Sequence, residues 1–273
     1  MDQTTNQEHP SEEEALAGTL ESIGQVLLVL SGKGGVGKST VAANIAVALA
    51  GKGHAVGLLD IDIHGPSIPG MLNLAGSSIF SNDKRMLPVE FTPNLKVMSI
   101  GFLTPNDKDA VIWRGPMKYG VIKQFLTDVD WGALDYLVVD SPPGTGDEPL
   151  SIAQMVVPKA RAVVVTTPQK VSLDAVGRCV TFCRKLDLPV AGIIENMSGF
   201  ECPHCGQHID LFDSGGGETL AKEMDVPFLG KIPIDIEIVK GGDTGEPIVL
   251  KNREGNTARI FNTITGSVVG YDI

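Results

Sequence analysis

The chain has 273 residues, of which 42% are hydrophobic and 20% are charged, so it is long enough to bury a substantial core. Its formal net charge of -11 argues against a broad electrostatic surface for nucleic acid or acidic membranes, although backbone amides can still build a local anion site. No stretch approaches the ~20 apolar residues of a membrane span, and the acidic N-terminus is unlike a secretory signal, so we expect a cytoplasmic protein.

The first segment, residues 1–21, is predicted to be a flexible acidic tail, with room for a short helix in SEEEALAGTL. After it, six short runs rich in Val, Leu and Ile alternate with segments of helical character. Nearly continuous apolar runs are typical of strands that are covered on both faces, as in a parallel sheet. The runs cover residues 25–31, 55–61, 135–141, 161–167, 190–196 and 227–233.

The segments between these runs fit crossover helices, and residues 87–101 read as a small inserted β-hairpin. Alternation of strand and helix through residues 22–273 predicts the α/β class, with one doubly wound, mostly parallel sheet and helices on both faces. The predicted helices cover residues 38–51, 116–127, 172–186, 215–223 and 253–267.

A phosphate-binding loop is indicated by GKGGVGKS, which satisfies G-x-x-x-x-G-K-[ST] between a predicted strand and a predicted helix. In such a loop the backbone N–H groups face phosphate oxygens, Lys38 reaches the β- and γ-phosphates, and the Ser39 hydroxyl ligates Mg²⁺. The alternative is a glycine-rich turn that binds nothing. The predicted nucleotide-binding residues here are Gly32, Gly34, Gly35, Val36, Gly37, Lys38, Ser39 and Thr40.

Carboxylates follow two of the predicted strands. Asp140 ends the strand of LVVDSPPGTGD, where it can hold Mg²⁺ through water, and the glycines after it let that loop respond to a γ-phosphate. Asp60 and Asp62 end the strand of LLDIDIHGPS, and Asp62, the further from the strand, is the better candidate to orient an attacking water. The alternative for both is capping of the following turn.

Several motifs together resemble one protein family. GKGGVGKST resembles the deviant Walker A loop of dimerising P-loop ATPases, a class that includes nitrogenase iron protein and the division-site and plasmid-partition ATPases. DIDIHGPSIPGML, DSPPGTGDE, TTPQKVSLDAVGR and ENMSGFECPHCG are similar to the Mrp/ApbC branch, the iron–sulfur cluster carrier ATPases. The likeness runs from about Gln25 to Ile248 and implies an ATP hydrolase that depends on Mg²⁺.

The resemblance also implies roles for single residues. Lys33 resembles the signature lysine that reaches across a dimer to the partner's nucleotide. Asp62 matches the catalytic switch I carboxylate and Asp140 the Walker B carboxylate. Asn196 resembles the asparagine that reads the adenine base, and KIPID at 231–235 resembles a segment that lines the adenine pocket. The predicted catalytic residues are Lys33, Lys38 and Asp62.

A cysteine pair lies at about residues 200–210. Cys202 and Cys205 in ECPHCGQH have C-x-x-C spacing, which lets two thiolates bind one metal or cluster. A zinc site or a [4Fe–4S] cluster usually takes four ligands, so two protomers of a homodimer would complete the set. This agrees with the resemblance, which implies a labile cluster that bridges the dimer. Zn²⁺, with His204 or His208 as further ligands, and a redox dithiol are the alternatives.

These observations predict an ATP-hydrolysing carrier that holds a [4Fe–4S] cluster and transfers it to apo iron–sulfur proteins. Positioning or partition-type ATPases that act on membranes or nucleoprotein are the alternative, disfavoured because FNTITGSVVGYDI has no basic residue. A reductase similar to nitrogenase iron protein is disfavoured because that protein's cysteines lie in other segments. Cys179 and Cys183, four residues apart on one predicted helix face, are expected to be core residues rather than a second metal pair.

Overall fold

A computed structural model describes residues 11–82, 85–103 and 115–270. The strands are β1 (Ile23–Ser31), β2 (Val56–Asp60), β3 (Phe80–Asn82), β4 (Arg85–Leu87), β5 (Val89–Thr92), β6 (Leu95–Ser99), β7 (Leu134–Asp140), β8 (Ala160–Thr166), β9 (Val190–Glu201), β10 (His208–Ile209) and β11 (Phe228–Ile234). The helices are α1 (Glu12–Glu21), α2 (Lys38–Gly51), α3 (Ile68–Met71), α4 (Gly115–Thr127), α5 (Asp147–Val156), α6 (Lys170–Lys185), α7 (Gly216–Glu223), α8 (Ile236–Thr244), α9 (Ile248–Lys251) and α10 (Asn256–Val269).

The central sheet is parallel over the strand order β11-β9-β8-β1-β7-β2-β6. Two short strands pair antiparallel with it: β5 with β6 at one edge, and β10 with the last residues of β9. The separate pair β3–β4 forms a small hairpin. The predicted α/β class with a mostly parallel sheet is confirmed.

Strand β1 shows why the apolar runs in the sequence are continuous. Val26, Leu28 and Leu30 belong to a core shared with α1, α4, α5, α6 and α7. Leu27 and Val29 belong to a second core, shared with α2, α3, α9 and α10. Because successive side chains of a strand point to opposite faces, a strand covered by helices on both faces needs apolar residues at every position.

The predicted hairpin at residues 87–101 is present, but its second strand belongs to the main sheet. β5 and β6 pair antiparallel, and β6 also pairs in parallel with β2, from Val56 opposite Leu95 to Asp60 opposite Ser99. Leu95 and Val97 are fully buried in the second core. Their burial explains why this strand extends the sheet instead of standing apart as an insertion.

The second half of the predicted tail is helical. Ser11 and Glu14 form a capping box at the start of α1, in which Ser11 N donates to Glu14 Oε2 (2.7 Å) and Glu14 N donates to Ser11 Oγ (3.2 Å). Leu20 is buried in the first core, beside helix α4. Glu12–Glu21 therefore packs on the domain rather than extending from it, and the first ten residues lie outside the described part of the chain.

The carboxyl ends of β1, β2 and β7 lie side by side at one edge of the sheet. Asp60 of β2 is opposite Asp140 of β7, which in turn is opposite Val29 of β1. Crevices at this edge of an open α/β sheet are where such folds bind ligands. Within the described residues, no helix has both the length and the apolar character required to cross a membrane.

Candidate nucleotide site and cysteine loop

The glycine-rich segment forms a loop between β1 and α2 that lines a cavity of about 210 Å³. Gly35 (φ 79°) and Gly37 (φ 80°) adopt the left-handed conformation, and Gly37 is the N-cap of α2, so the positive end of the helix faces the cavity. Asp62 and Pro143, from two other loops, also line the cavity. The predicted residues that line the cavity are Lys33, Gly34, Gly35, Val36, Gly37, Lys38, Ser39 and Thr40.

Gly32, the first predicted loop residue, lies behind the cavity against helix α6. A Cβ at this position would lie 2.4 Å from the Ala175 carbonyl carbon and 2.6 Å from its Cβ. The loop can therefore approach α6 this closely only with glycine here. Gly32 shapes the phosphate loop rather than lining it.

Asn196 supports the loop from strand β9. Its Nδ2 donates to the Val36 carbonyl oxygen at 2.8 Å, and the Asn196 side chain is buried. A Cβ on Gly37 would lie 2.2 Å from the same nitrogen, which explains the glycine at the helix start. The structure thus places Asn196 beside the phosphate loop, and its predicted contact with the adenine base stays a prediction.

Lys38 and Asp140 form a buried ion pair at the floor of the cavity. Lys38 Nζ lies 2.5 Å from Asp140 Oδ1, 3.3 Å from Ser39 Oγ and 4.0 Å from Asp62 Oδ2. Burial raises the pKa of Asp140, and the charge of Lys38 opposes this rise. Lys38 is thus held at the cavity by Asp140, and it would have to exchange this partner for an anion that enters.

The same carboxylate fits a role toward Mg²⁺. Asp140 Oδ2 is buried and has no hydrogen-bond partner among the described residues. A buried carboxylate oxygen without a partner is costly, and oxygen atoms are the ligands that Mg²⁺ prefers, often through water. With the Ser39 hydroxyl nearby, the side chains present suit a magnesium ion bound together with phosphate.

The two aspartates after β2 occupy different environments. Asp60 is fully buried and accepts hydrogen bonds from Ser99 Oγ (2.9 Å), Asp62 N (3.1 Å) and Ile68 N (3.3 Å). Its burial, together with the charge of Asp140, raises the pKa of Asp60 to about 8. Asp62 keeps 14% of its side chain exposed and lines the cavity. Asp60 holds the loop, and Asp62 faces the ligand space.

A further polar cluster connects the loop after β2 with helices α4 and α5. No sequence motif predicted it. Glu148, in the first turn of α5, accepts from Lys118 Nζ of α4 at 2.6 Å. His64 Nε2, in the loop after β2, lies 3.2 Å from the same ammonium. Although burial opposes it, the hydrogen bond from Lys118 lowers the pKa of Glu148. No local spacing relates these residues, because they meet only in the folded chain.

Cys202 and Cys205 lie in a tight turn directly after β9. Gly206 N donates to Cys202 O at 2.8 Å, and Cys202 N donates to Gln207 O at 3.0 Å. Cys202 is half-buried, Cys205 is exposed, and neither forms a disulfide. The backbone N–H groups of His204 and Cys205 lower the pKa of the Cys202 thiol, which favours the thiolate that binds metal.

One chain presents two thiols and no complete metal site in its described part. No group of three or more His, Cys, Asp or Glu residues there is placed to hold a metal ion. His208 Nε2 instead lies 3.0 Å from Asp210 Oδ1. Cys179 and Cys183 are fully buried in the first core, which confirms that they are core residues.

Comparison with known proteins places this geometry in a family. The model of the family described as "ParA: NUBPL iron-transfer P-loop NTPase" matches residues 22–269. The chain belongs to this family of iron-transfer P-loop NTPases. The predicted resemblance to cluster carrier ATPases is confirmed at the level of the family.

Relatives of this iron-transfer NTPase are similar over most of their length. It is 50% identical over 231 residues to the iron–sulfur cluster carrier protein of Methanocaldococcus jannaschii, covering 85% of this chain and 80% of the relative. It is 48% identical over 256 residues to the cytosolic Fe-S cluster assembly factor NUBP2 of Rattus norvegicus, covering 92% and 94%.

Solved structures agree with the P-loop NTPase fold. A nucleotide-binding protein from Archaeoglobus fulgidus in complex with ADP superposes with a TM-score of 0.78 at 39% identity, covering 91% of this chain and 96% of the other. The cell division ATPase MinD of Pyrococcus furiosus superposes with a TM-score of 0.65 at 24% identity, covering 90% and 98%. The second likeness is one of fold alone.

Proposed function

We propose that this protein is an ATP-hydrolysing carrier that holds an iron–sulfur cluster on Cys202 and Cys205 and transfers it to apo-proteins. The observation that carries the proposal is the pair of free thiols, one half-buried and one exposed, in an amide-rich turn directly after the strand that supports the phosphate loop. Relatives named as cluster carrier and cluster assembly proteins support it. We treat residues 22–273 as one ATPase domain that carries the cysteine segment.

The cavity residues divide the work of hydrolysis among them. Backbone N–H groups of the loop orient the phosphates, and Lys38 turns from Asp140 to the β- and γ-phosphates. The Ser39 hydroxyl and, through water, Asp140 would hold Mg²⁺, which would supply positive charge against the phosphates. Asp62 then orients the attacking water and accepts its proton, because its carboxylate lies in the cavity and, among the described residues, accepts a hydrogen bond only from His64 N at 3.3 Å.

A homodimer completes both sites. One protomer supplies two thiolates, and a second copy across a two-fold axis supplies the other two that a [4Fe–4S] cluster requires. Lys33 lies at the mouth of the cavity and acts on the partner's nucleotide in the same dimer. The cluster is cargo, and Zn²⁺ can occupy the same sulfurs. We place the protein in the cytoplasm, without nucleic acid or membrane as partners, in line with relatives named cytosolic.

Anaerobic reconstitution with iron and sulfide tests the proposal. We expect a brown protein that passes its cluster to an apo-ferredoxin, and loss of the chromophore in Cys202→Ser and Cys205→Ser. Cys179→Ala, a cysteine variant in the core, is the matched control and should keep the chromophore. A colourless wild type, or a Cys202→Ser protein as brown as wild type, would contradict the carrier function.

A further inference from the structure

The segment that bears the cysteines leaves strand β9 and returns to it. We call residues 202–214 the cysteine loop: it starts after Glu201, the last residue of β9, and ends before the N-cap of α7, Gly215. Its far end is not free. Ser214 Oγ lies 3.2 Å from Ser198 Oγ, which belongs to β9. Both ends of the cysteine loop are therefore attached to the same strand.

Glu195 of β9 is the centre of this attachment. Its carboxylate is fully buried and accepts from Ser198 Oγ (2.5 Å) and Gly215 N (2.9 Å) through Oε1, and from Gly217 N (2.5 Å) through Oε2. Three donors therefore hold this carboxylate, two of them backbone N–H groups at the N-terminus of α7. A Cβ on Gly217 would lie 3.0 Å from Oε2, so glycine is what allows this approach.

The residue next to Glu195 contacts the phosphate loop. Asn196 donates to the Val36 carbonyl oxygen from the opposite face of β9, because successive side chains of a strand alternate. The two neighbours thus bind the phosphate loop on one face and the cysteine loop on the other. Cys202 lies six positions after Asn196, a span of at most roughly 20 Å along an extended strand.

Strand β9 is irregular between Asn196 and the start of the cysteine loop. Met197 has φ 58° and Gly199 has φ 77°, and the pairing of β9 with β11 shifts in register between Ile232 and Ile234. A left-handed methionine within a strand is strained and is kept only where the surroundings hold it. This irregular stretch lies between Asn196 and Cys202, so it connects the residue that contacts the phosphate loop with the start of the cysteine loop.

From these contacts we propose that Glu195 is a positioning residue that couples the two sites: it fixes the cysteine loop to the strand that supports the phosphate loop, so that nucleotide bound there changes the accessibility of Cys202 and Cys205. The inference deepens the proposed function and rests on it for its purpose, since a carrier must relate cluster release to its nucleotide. The coupling itself is a property of the metal-free chain. It therefore has a test that needs no cluster.

The test measures maleimide alkylation of Cys202 and Cys205 by mass spectrometry, on reduced, metal-free, full-length protein with and without ADP. In the wild type we expect bound ADP to slow alkylation by about fivefold or more. In Glu195→Gln we expect faster alkylation than in the wild type, and nearly the same alkylation rate with and without ADP. The ADP dissociation constant should stay within about twofold of wild type, because Glu195 does not line the nucleotide cavity.

Two further variants keep the test decisive. Glu223→Gln removes an exposed carboxylate from α7 and should behave as wild type. Ser198→Ala removes one hydrogen-bond donor to Glu195. Its ratio of alkylation rates without and with ADP should lie between those of the wild type and Glu195→Gln, and it provides the test if Glu195→Gln does not fold. A purely structural role would raise alkylation equally with and without ADP. That result would overturn the coupling, and so would a wild type whose alkylation rate is the same with and without ADP. A wild type that binds no cluster would overturn only the proposed function.

Discussion

Lys33 and Lys38 lie five residues apart in one loop, yet their surroundings differ. Lys38 is buried and paired with Asp140 at the floor of the cavity. Lys33 is half-buried at the mouth of the cavity, and no ion pair within the described residues includes it. A cation without an internal partner is available to a phosphate outside its own site. We propose that this difference is the reason for two lysines in the loop.

Lys33→Ala should separate binding from hydrolysis. We expect nucleotide affinity to stay measurable, because Lys38 and the backbone amides remain, while the hydrolysis rate falls by roughly 100-fold or more through loss of a trans cation. Isothermal titration and phosphate release measure the two quantities. Lys185→Ala, an exposed lysine at the end of α6, is the control. An unchanged turnover number in Lys33→Ala would contradict a role in trans.

Asp60 should make folding stability depend on pH. Its pKa is raised from 3.8 to about 8 by burial and by the charge of Asp140. Between pH 3.8 and about pH 8, Asp60 in the folded state retains a proton that it has released in the unfolded state. The free energy of unfolding therefore falls as the pH rises across this range. The slope is at most about 1.4 kcal/mol per pH unit.

Urea unfolding of the nucleotide-free protein in EDTA, between about pH 5 and pH 8, measures this effect. Relative to Asp60→Asn, the wild type should lose free energy of unfolding as the pH rises. Asp174→Asn, an exposed carboxylate on α6, should follow the wild-type profile. Parallel profiles for wild type and Asp60→Asn would mean that Asp60 is ionised throughout this range.

The strands and helices that follow a local pattern of apolar residues could be predicted from the sequence. Each of the six apolar runs is a strand and each of the five helical segments is a helix, because residues covered on both faces must be apolar. The cavity residues were found because a phosphate loop has a fixed spacing. The irregular end of β9 was not predicted: it contains a left-handed Met197, and the neighbouring Asn196 contacts Val36, 160 residues away. Long-range contacts of this kind leave no periodicity in the sequence.

The contact of the phosphate loop with α6 gives a test of packing. Gly32→Ala should lower the free energy of unfolding by about 1–3 kcal/mol, because its Cβ would meet the backbone of Ala175. Gly34→Ala, whose Cβ would lie 3.9 Å from its nearest neighbour, should change stability much less. Urea unfolding measures both. Equal stability of the two variants would show that α6 moves aside without cost.

At the level of the whole molecule, the net charge of -11 opposes association of two copies. A dimer joined at the cysteine loops must overcome repulsion between like-charged protomers, and salt screens this repulsion. We expect metal-loaded protein to have twice the mass of metal-free protein in light scattering. Dimerisation should strengthen as ionic strength rises.

Cys202→Ser provides the comparison for this measurement. Without half of the thiolates it should remain monomeric in the presence of metal at every salt concentration. A metal-loaded wild type of monomer mass, or a dimer that weakens with salt, would contradict the bridging arrangement.

The attachment of both ends of the cysteine loop to β9 has a consequence for protein engineering. Such a segment can be exchanged as a unit, because only the two residues of β10 within it belong to the sheet and the order of the other strands does not depend on them. Loops with other metal-binding turns, spliced between Glu201 and Gly215, would inherit the same anchor. The ATPase domain would then serve as a scaffold for metals other than iron.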